Sequence, residues 1–130
     1  MLAAHPIDVM LTAPDLGLAK QFYCDKVGLD VLIESDAFVT FRCGGDSRLV
    51  VTRSSVETNE QQTKANWRVA DVAAEVADSR ARGVTFAEYD EPGLETTDGV
   101  ADVGFALSAW FVDPGGNTIA LLQFKDKRQG

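Results

Sequence analysis

The sequence predicts an α+β fold of two tandem β-α-β-β-β modules, whose curved mixed β-sheets carry their helices on the outer face. Two observations lead there. Short runs of period-two alternation flank a single helical segment in the same order in each half of the chain. Landmarks also repeat: Asp15-Leu16 before the first helix recurs as Asp71-Val72, and the helix-ending Gly28 recurs as Gly83, a shift of about 55 residues. Gly44-Gly45 followed by Leu49-Val50-Val51 is echoed by Gly115-Gly116 followed by Ile119-Ala120-Leu121. One module has a single helix to cover one face of its sheet, so a duplicated chain is the economical way to bury the rest. The chain is read as one domain over residues 1–130, with modules at 5–54 and 64–125.

In the first module, Ile7, Val9, Leu11 and Ala13 alternate with Asp8, Met10 and Thr12, the pattern of a half-buried strand. Pro14-Asp15 opens a helix over 17–26, in which Leu18, Phe22 and Val27 recur near helical spacing before the Gly28 stop. LDVLIESD, AFVTFRC and SRLVVTR follow as three strands divided by Ser-Asp and Gly-Gly-Asp turns. The polar, aperiodic SSVETNEQQTK reads as the connection between modules.

In the second module, Ala65, Trp67 and Val69 alternate with Asn66, Arg68 and Ala70, and Asp71-Val72 leads into the helix former AAEVADSRARG, ended by Gly83. VTFAEYD, the loop EPGLETTDGVADVG, the run ALSAWFVD, the turn DPGGN and the run TIALLQF complete the order. The loop reads as a surface connection and KDKRQG as a frayed tail.

Composition narrows function. A formal net charge of −8 works against nucleic acid, which needs clustered Lys and Arg to displace counterions. No apolar run approaches the roughly 20 residues of a membrane span. The start lacks the basic region and cleavage site of a signal peptide, so a cytoplasmic location is expected. Cys24 and Cys43 have no metal or redox spacing and read as reduced thiols. No phosphate-binding Gly loop, G-x-S-x-G elbow or credible Cys–His pair is present, which leaves nucleophilic catalysis without support.

VMLTAPDLGLAKQFYCDKVGL and WFVDPGGNTIALLQ, with WRVADVAAEVADSRARGVTF between them, resemble the vicinal oxygen chelate superfamily over nearly the whole chain. That superfamily includes glyoxalase I, bleomycin-resistance proteins, extradiol dioxygenases and methylmalonyl-CoA epimerase. The resemblance implies the glyoxalase/bleomycin-resistance fold, with a ligand cleft between paired sheets. EYDEPGLETTDGVADVG followed by AWFVDPGGN is similar to a subgroup labelled only by ancestry, and ancestry alone does not assign function.

The family's enzymes hold a divalent metal through His, Gln or Glu at four strand positions. By the resemblance, these fall here on Asp8, Lys64, Ala120 and Val50, the last within one residue. Asp8 alone offers a suitable donor, since a charged Lys64 has no lone pair and Ala120 and Val50 have no donor atom. Octahedral oxygen or nitrogen ligation is therefore not expected from this chain. The sole histidine, His5, precedes Asp8 by three residues and belongs to the opposite face of any strand reaching that far.

Lys64, Asn66 and Arg68 should line one face of their strand, as Asp8, Met10 and Thr12 do in the first module. Such a face suits a polar or charged small molecule, and the competing account is an Asp–Arg or Asp–Lys pair that satisfies itself. By family register Phe111 lies under the helix and Trp110 faces the cleft, while Trp67, alternating with Asn66 and Arg68, packs under the second helix. The expected protein is thus a metal-independent, homodimeric small-molecule binder using Asp8, Met10, Val50, Lys64, Asn66, Arg68, Trp110 and Ala120. It would need no cofactor and would engage neither nucleic acid nor membrane. The alternative is a metal-dependent lyase, isomerase or dioxygenase of the same superfamily.

Overall fold

The side chain of Asp15 accepts a hydrogen bond from the Leu18 N–H at 3.1 Å, and so starts the helix α1 (Leu16–Gln21) by supplying one of its orphan donors with an acceptor. The computed structural model describes residues 1–56 and 61–126, so parts of SSVETNEQQTK and KDKRQG lie outside the described residues. The helix expected over 17–26 is found in two pieces: α1 passes into a π-helical stretch, Phe22–Val27, which ends at Gly28 in the left-handed region with φ 88°. This wider turn coincides with Tyr23, the largest fully buried side chain.

Two compact units make up the chain, Met1–Glu60 with Asp113–Asn117 and Gln61–Val112 with Thr118–Gly130. In the first, β1 (Asp8–Ala13), β2 (Asp30–Glu34), β3 (Phe38–Arg42) and β4 (Arg48–Arg53) form a sheet of order β1-β4-β3-β2. β1 runs parallel to β4 and the other pairs are antiparallel. Alternation sends Leu11, Ala13, Val39, Phe41, Leu49 and Val51 to one face, where they are buried with Leu16, Ala19 and Tyr23.

The turn at 113–117, which the repeat assigns to the second module, clusters with this first unit. Asp113 organises it. Its Oδ1 accepts the Gly115 and Asn117 N–H groups, both at 2.9 Å, and its Oδ2 accepts the Tyr23 hydroxyl at 2.6 Å. The Asn117 amide donates to both carboxylate oxygens at 3.0 Å and to the Thr12 carbonyl at 2.8 Å.

Burial, and then the Asp113 charge, push the Tyr23 phenol far above its ordinary 10.0. A phenol held neutral in the folded state gives stability that is complete below the unfolded value and is lost as pH rises through and beyond it. Between about pH 9 and about pH 11 the urea midpoint of the parent chain should therefore fall more steeply than that of Tyr23→Phe. Equal slopes would show that Tyr23 shares no linkage with folding.

In the second unit, the sheet order is β5-β10-β9-β8-β7-β6, formed by β5 (Thr63–Arg68), β6 (Asp90–Glu91), β7 (Leu94–Thr97), β8 (Val100–Asp102), β9 (Ala106–Val112) and β10 (Thr118–Phe124). The helix α2 (Val72–Ala81) starts at Asp71, which accepts the Ala74 N–H at 3.1 Å, while the Gln123 side-chain oxygen accepts the Val72 N–H at 3.0 Å. Val72 and Val76 are buried, as are Ala109, Phe111, Ile119 and Leu121 on the sheet face that α2 covers. Phe86 packs edge-on to Phe111 at 5.8 Å.

The stretch EPGLETTDGVADVG departs from the expected loop. It holds β7, β8 and the second residue of β6, with the β7–β8 hairpin closed by Asp98 at φ 51° and Gly99 at φ 81°. Asp-Gly takes the two positive φ angles of a tight hairpin turn at low cost, and the flanking Thr and Val residues pair across it. VTFAEYD, in contrast, makes a single isolated bridge, Phe86 to Phe111, before its last residue, Asp90, enters β6. No helix among the described residues is long and apolar enough to cross a membrane.

Candidate functional site

Each unit has a second sheet face, opposite its helix, and alternation fixes what stands there. In the first unit that face carries Asp8, Met10 and Thr12 of β1, Arg48, Val50 and Thr52 of β4, and Phe38, Thr40 and Arg42 of β3. Met10 lies directly beside Val50, and Asp8 directly beside Arg48. The structure thus brings Asp8, Met10 and Val50 onto one surface, with Met10 66% exposed and Val50 buried beneath its neighbours.

Asp8 has a partner that the sequence reading did not single out. The Arg48 guanidinium donates to Oδ2 through Nη2 at 2.7 Å and through Nε to both carboxylate oxygens at 3.2 Å. Hydrogen bonding to Arg48 holds the Asp8 carboxyl below its ordinary value of 3.8. A depressed carboxyl contributes above the unfolded value and is lost as pH falls through the folded one. Arg48→Ala should raise the Asp8 titration midpoint, followed by side-chain carboxyl NMR, to that ordinary value; an unmoved midpoint would remove Arg48 as its cause.

In the second unit the corresponding face holds Asn66 and Arg68 of β5, Thr118, Ala120, Leu122 and Phe124 of β10, Ala106, Ser108, Trp110 and Val112 of β9, and Ala101 of β8. Ala120 sits between Asn66 on one side and Trp110 on the other. Lys64 has the same period-two position as Asn66 and Arg68 and is the extra residue of a bulge between the Thr63–Thr118 and Ala65–Ile119 pairs. The Trp110 ring is half-buried and meets Tyr89 edge-on at 5.6 Å. Trp67 lies on the other face beside Leu121, as the register demands. Tyr89 and Ser108 are additions to the residues named from sequence. Ser108 is fully buried and its hydroxyl has no hydrogen-bond partner.

The donor set does not suit the superfamily's divalent metal. Asp8 is committed to a guanidinium and Val50 has no donor atom; in the other unit, Lys64 brings a positive charge and Ala120 has no donor atom. Among the described residues no three His, Cys, Asp or Glu side chains converge on a cation site, and His5 is exposed beside a short turn at Leu2–Ala4.

A cavity of about 710 Å³ opens in the second unit on its helix side, lined in part by Val72, Val76, Val100, Leu107, Gln123 and Arg80. None of the binding residues expected from sequence lines it. Its one guanidinium is engaged, with Arg80 held by Glu88 at 3.0 Å and lying 5.9 Å over the Phe86 ring.

Comparison with known proteins gives a family match: the model of the Glyoxalase/Bleomycin resistance protein/Dioxygenase superfamily matches residues 6–121. No curated protein sequence matches. Among solved structures, the chain is similar to TnmS3, an antibiotic binding protein from Streptomyces sp. CB03234, at 25% identity and TM-score 0.63, covering 96% of this chain and 99% of that one. It is similar in fold to a bleomycin resistance determinant encoded on the transposon Tn5, at 17% identity and TM-score 0.69, covering 92% and 97%. A glyoxalase/bleomycin resistance protein/dioxygenase from Alicyclobacillus acidocaldarius shares the fold at 18% identity and TM-score 0.72, covering 95% and 94%.

Proposed function

Because the chain belongs to the Glyoxalase/Bleomycin resistance protein/Dioxygenase superfamily, we propose that it uses the superfamily's fold to bind an organic small molecule of the antibiotic type, without a metal. One observation carries the reading. The positions where the superfamily's enzymes place metal ligands hold an engaged carboxylate, a cation and two apolar side chains, while the same sheet faces offer an aromatic wall and polar groups. Small-molecule sites combine such apolar area with a few placed polar groups. The similarity to an antibiotic binding protein at 25% identity supports the same ligand class.

The binder acts as a homodimer in the cytoplasm. Exposed Ile7, Met10 and Ile33 of the first unit support a second copy, and Cys24 and Cys43, which are not joined in a disulfide, support a reducing compartment. Sedimentation would show a particle of twice 14.0 kDa, and a particle of the single mass would remove the dimer.

The test of binding is a thermal-shift screen of the chelator-treated chain against bleomycin and polycyclic aromatic antibiotics. A concentration-dependent rise in Tm is expected for at least one of them. No rise with any antibiotic, together with a rise on adding Zn, Ni, Mn or Fe(II), would overturn the reading in favour of a metal-dependent enzyme.

A further inference from the structure

We infer that the open face of the second unit selects an aromatic ligand bearing a planar anionic group, a carboxylate. This rests on the binding reading above and adds the ligand's charge to it. In a chain of net charge −8, the face built from β5, β10, β9 and β8 carries no carboxylate, and its only formally charged side chains are Lys64 and Arg68. Arg68 and Asn66 are exposed, and their side chains make no hydrogen bond or ion pair among the described residues. They stand two positions apart on β5, about 7 Å along the strand, on the same side. A guanidinium offers a fork of donors that matches a carboxylate in two parallel hydrogen bonds, and the neighbouring amide adds a third donor.

Beside these donors the floor is low. Ala120 separates Asn66 from Trp110 by two strand spacings, about 10 Å, which is room for an aromatic frame lying over Ala120 against the indole. A second feature points to a ligand. Ser108 lies on this face in the same cross-strand row as Arg68, with Leu122 between them, and its hydroxyl is buried without a partner. A buried hydroxyl left unpaired is unfavourable, and a polar atom arriving with the ligand would relieve it.

The test compares 2-naphthoate with 2-naphthamide, matched rings that differ in charge, by calorimetry and by ¹H–¹⁵N spectra of the Asn66, Arg68 and Trp110 side chains. The carboxylate should bind at least about tenfold more tightly, lose most of that advantage at high salt, and lose it entirely in Arg68→Gln, an exposed position whose substitution should leave the backbone spectrum unchanged. Equal affinity for the two probes would overturn the anionic preference and leave the binding face standing. A preference that survives Arg68→Gln would overturn the assignment to Arg68. If neither probe moves the three side-chain signals, both the inference and the binding face fall.

Discussion

Asp113→Ala should destabilise the first unit by about 3–5 kcal/mol, because it removes an acceptor that serves several donors and leaves them in a buried setting. The groups affected are the Tyr23 hydroxyl, the Gly115 and Asn117 N–H groups and the Asn117 amide, with Asp113 5% and Asn117 2% exposed. Asp113→Asn keeps the volume and one carbonyl oxygen but sets an NH₂ against donors, so its cost should lie between that of the parent and that of alanine. Gly115→Ala attacks the same turn by sterics. A Cβ at Gly115 would stand 2.5 Å from the Thr12 carbonyl oxygen, which already accepts the Asn117 amide, and the backbone must move at a cost of about 1–3 kcal/mol. Urea denaturation measures each. A loss under about 1 kcal/mol for Asp113→Ala would mean that water replaces the carboxylate and that the turn is not the organising element described.

Trp110→Ala should weaken ligand binding by about 30-fold or more, the scale of a buried aromatic anchor at the centre of a contact. The wall of the face is the Trp110–Tyr89 pair, and deleting the indole removes both its own area and the edge-on support of Tyr89. Trp110→Phe should recover most of the affinity. Trp67→Phe is the control, since Trp67 stands on the helix-bearing face and its substitution should leave the affinity unchanged. Calorimetry with an antibiotic that raises Tm reads the three variants. An unchanged affinity in Trp110→Ala would remove the second unit's face from the site.

Much of this was legible from sequence. The helix starts at Asp15 and Asp71 and the stops at Gly28 and Gly83 are local signals, fixed by which residues satisfy orphan N–H groups and which tolerate positive φ. Period-two alternation correctly placed Met10 with Asp8, and Asn66 with Arg68, because the pleat leaves no other choice. The Thr-Thr-Asp-Gly-Val stretch also carried a readable hairpin signal, which its position inside a long polar segment obscured.

Three features were not legible because they depend on register or on distant residues. Arg48 reaches Asp8 only because β1 pairs in parallel with β4 at that offset, 40 residues along the chain. The Tyr23–Asp113 bond joins residues 90 apart, and Asp113 was readable only as the first residue of a turn. The unpaired hydroxyl of Ser108 follows from what fails to approach it, which no pattern in the chain encodes.

On the proposed reading the chain binds an organic ligand without a metal ion. Calorimetric titration of an antibiotic that raises Tm into chelator-treated protein, shown free of metal by elemental analysis, tests it most directly. Saturable binding is expected, with a Kd unchanged when Zn, Ni, Mn or Fe(II) is added. Saturable binding that appears only after one of these ions is supplied would contradict it.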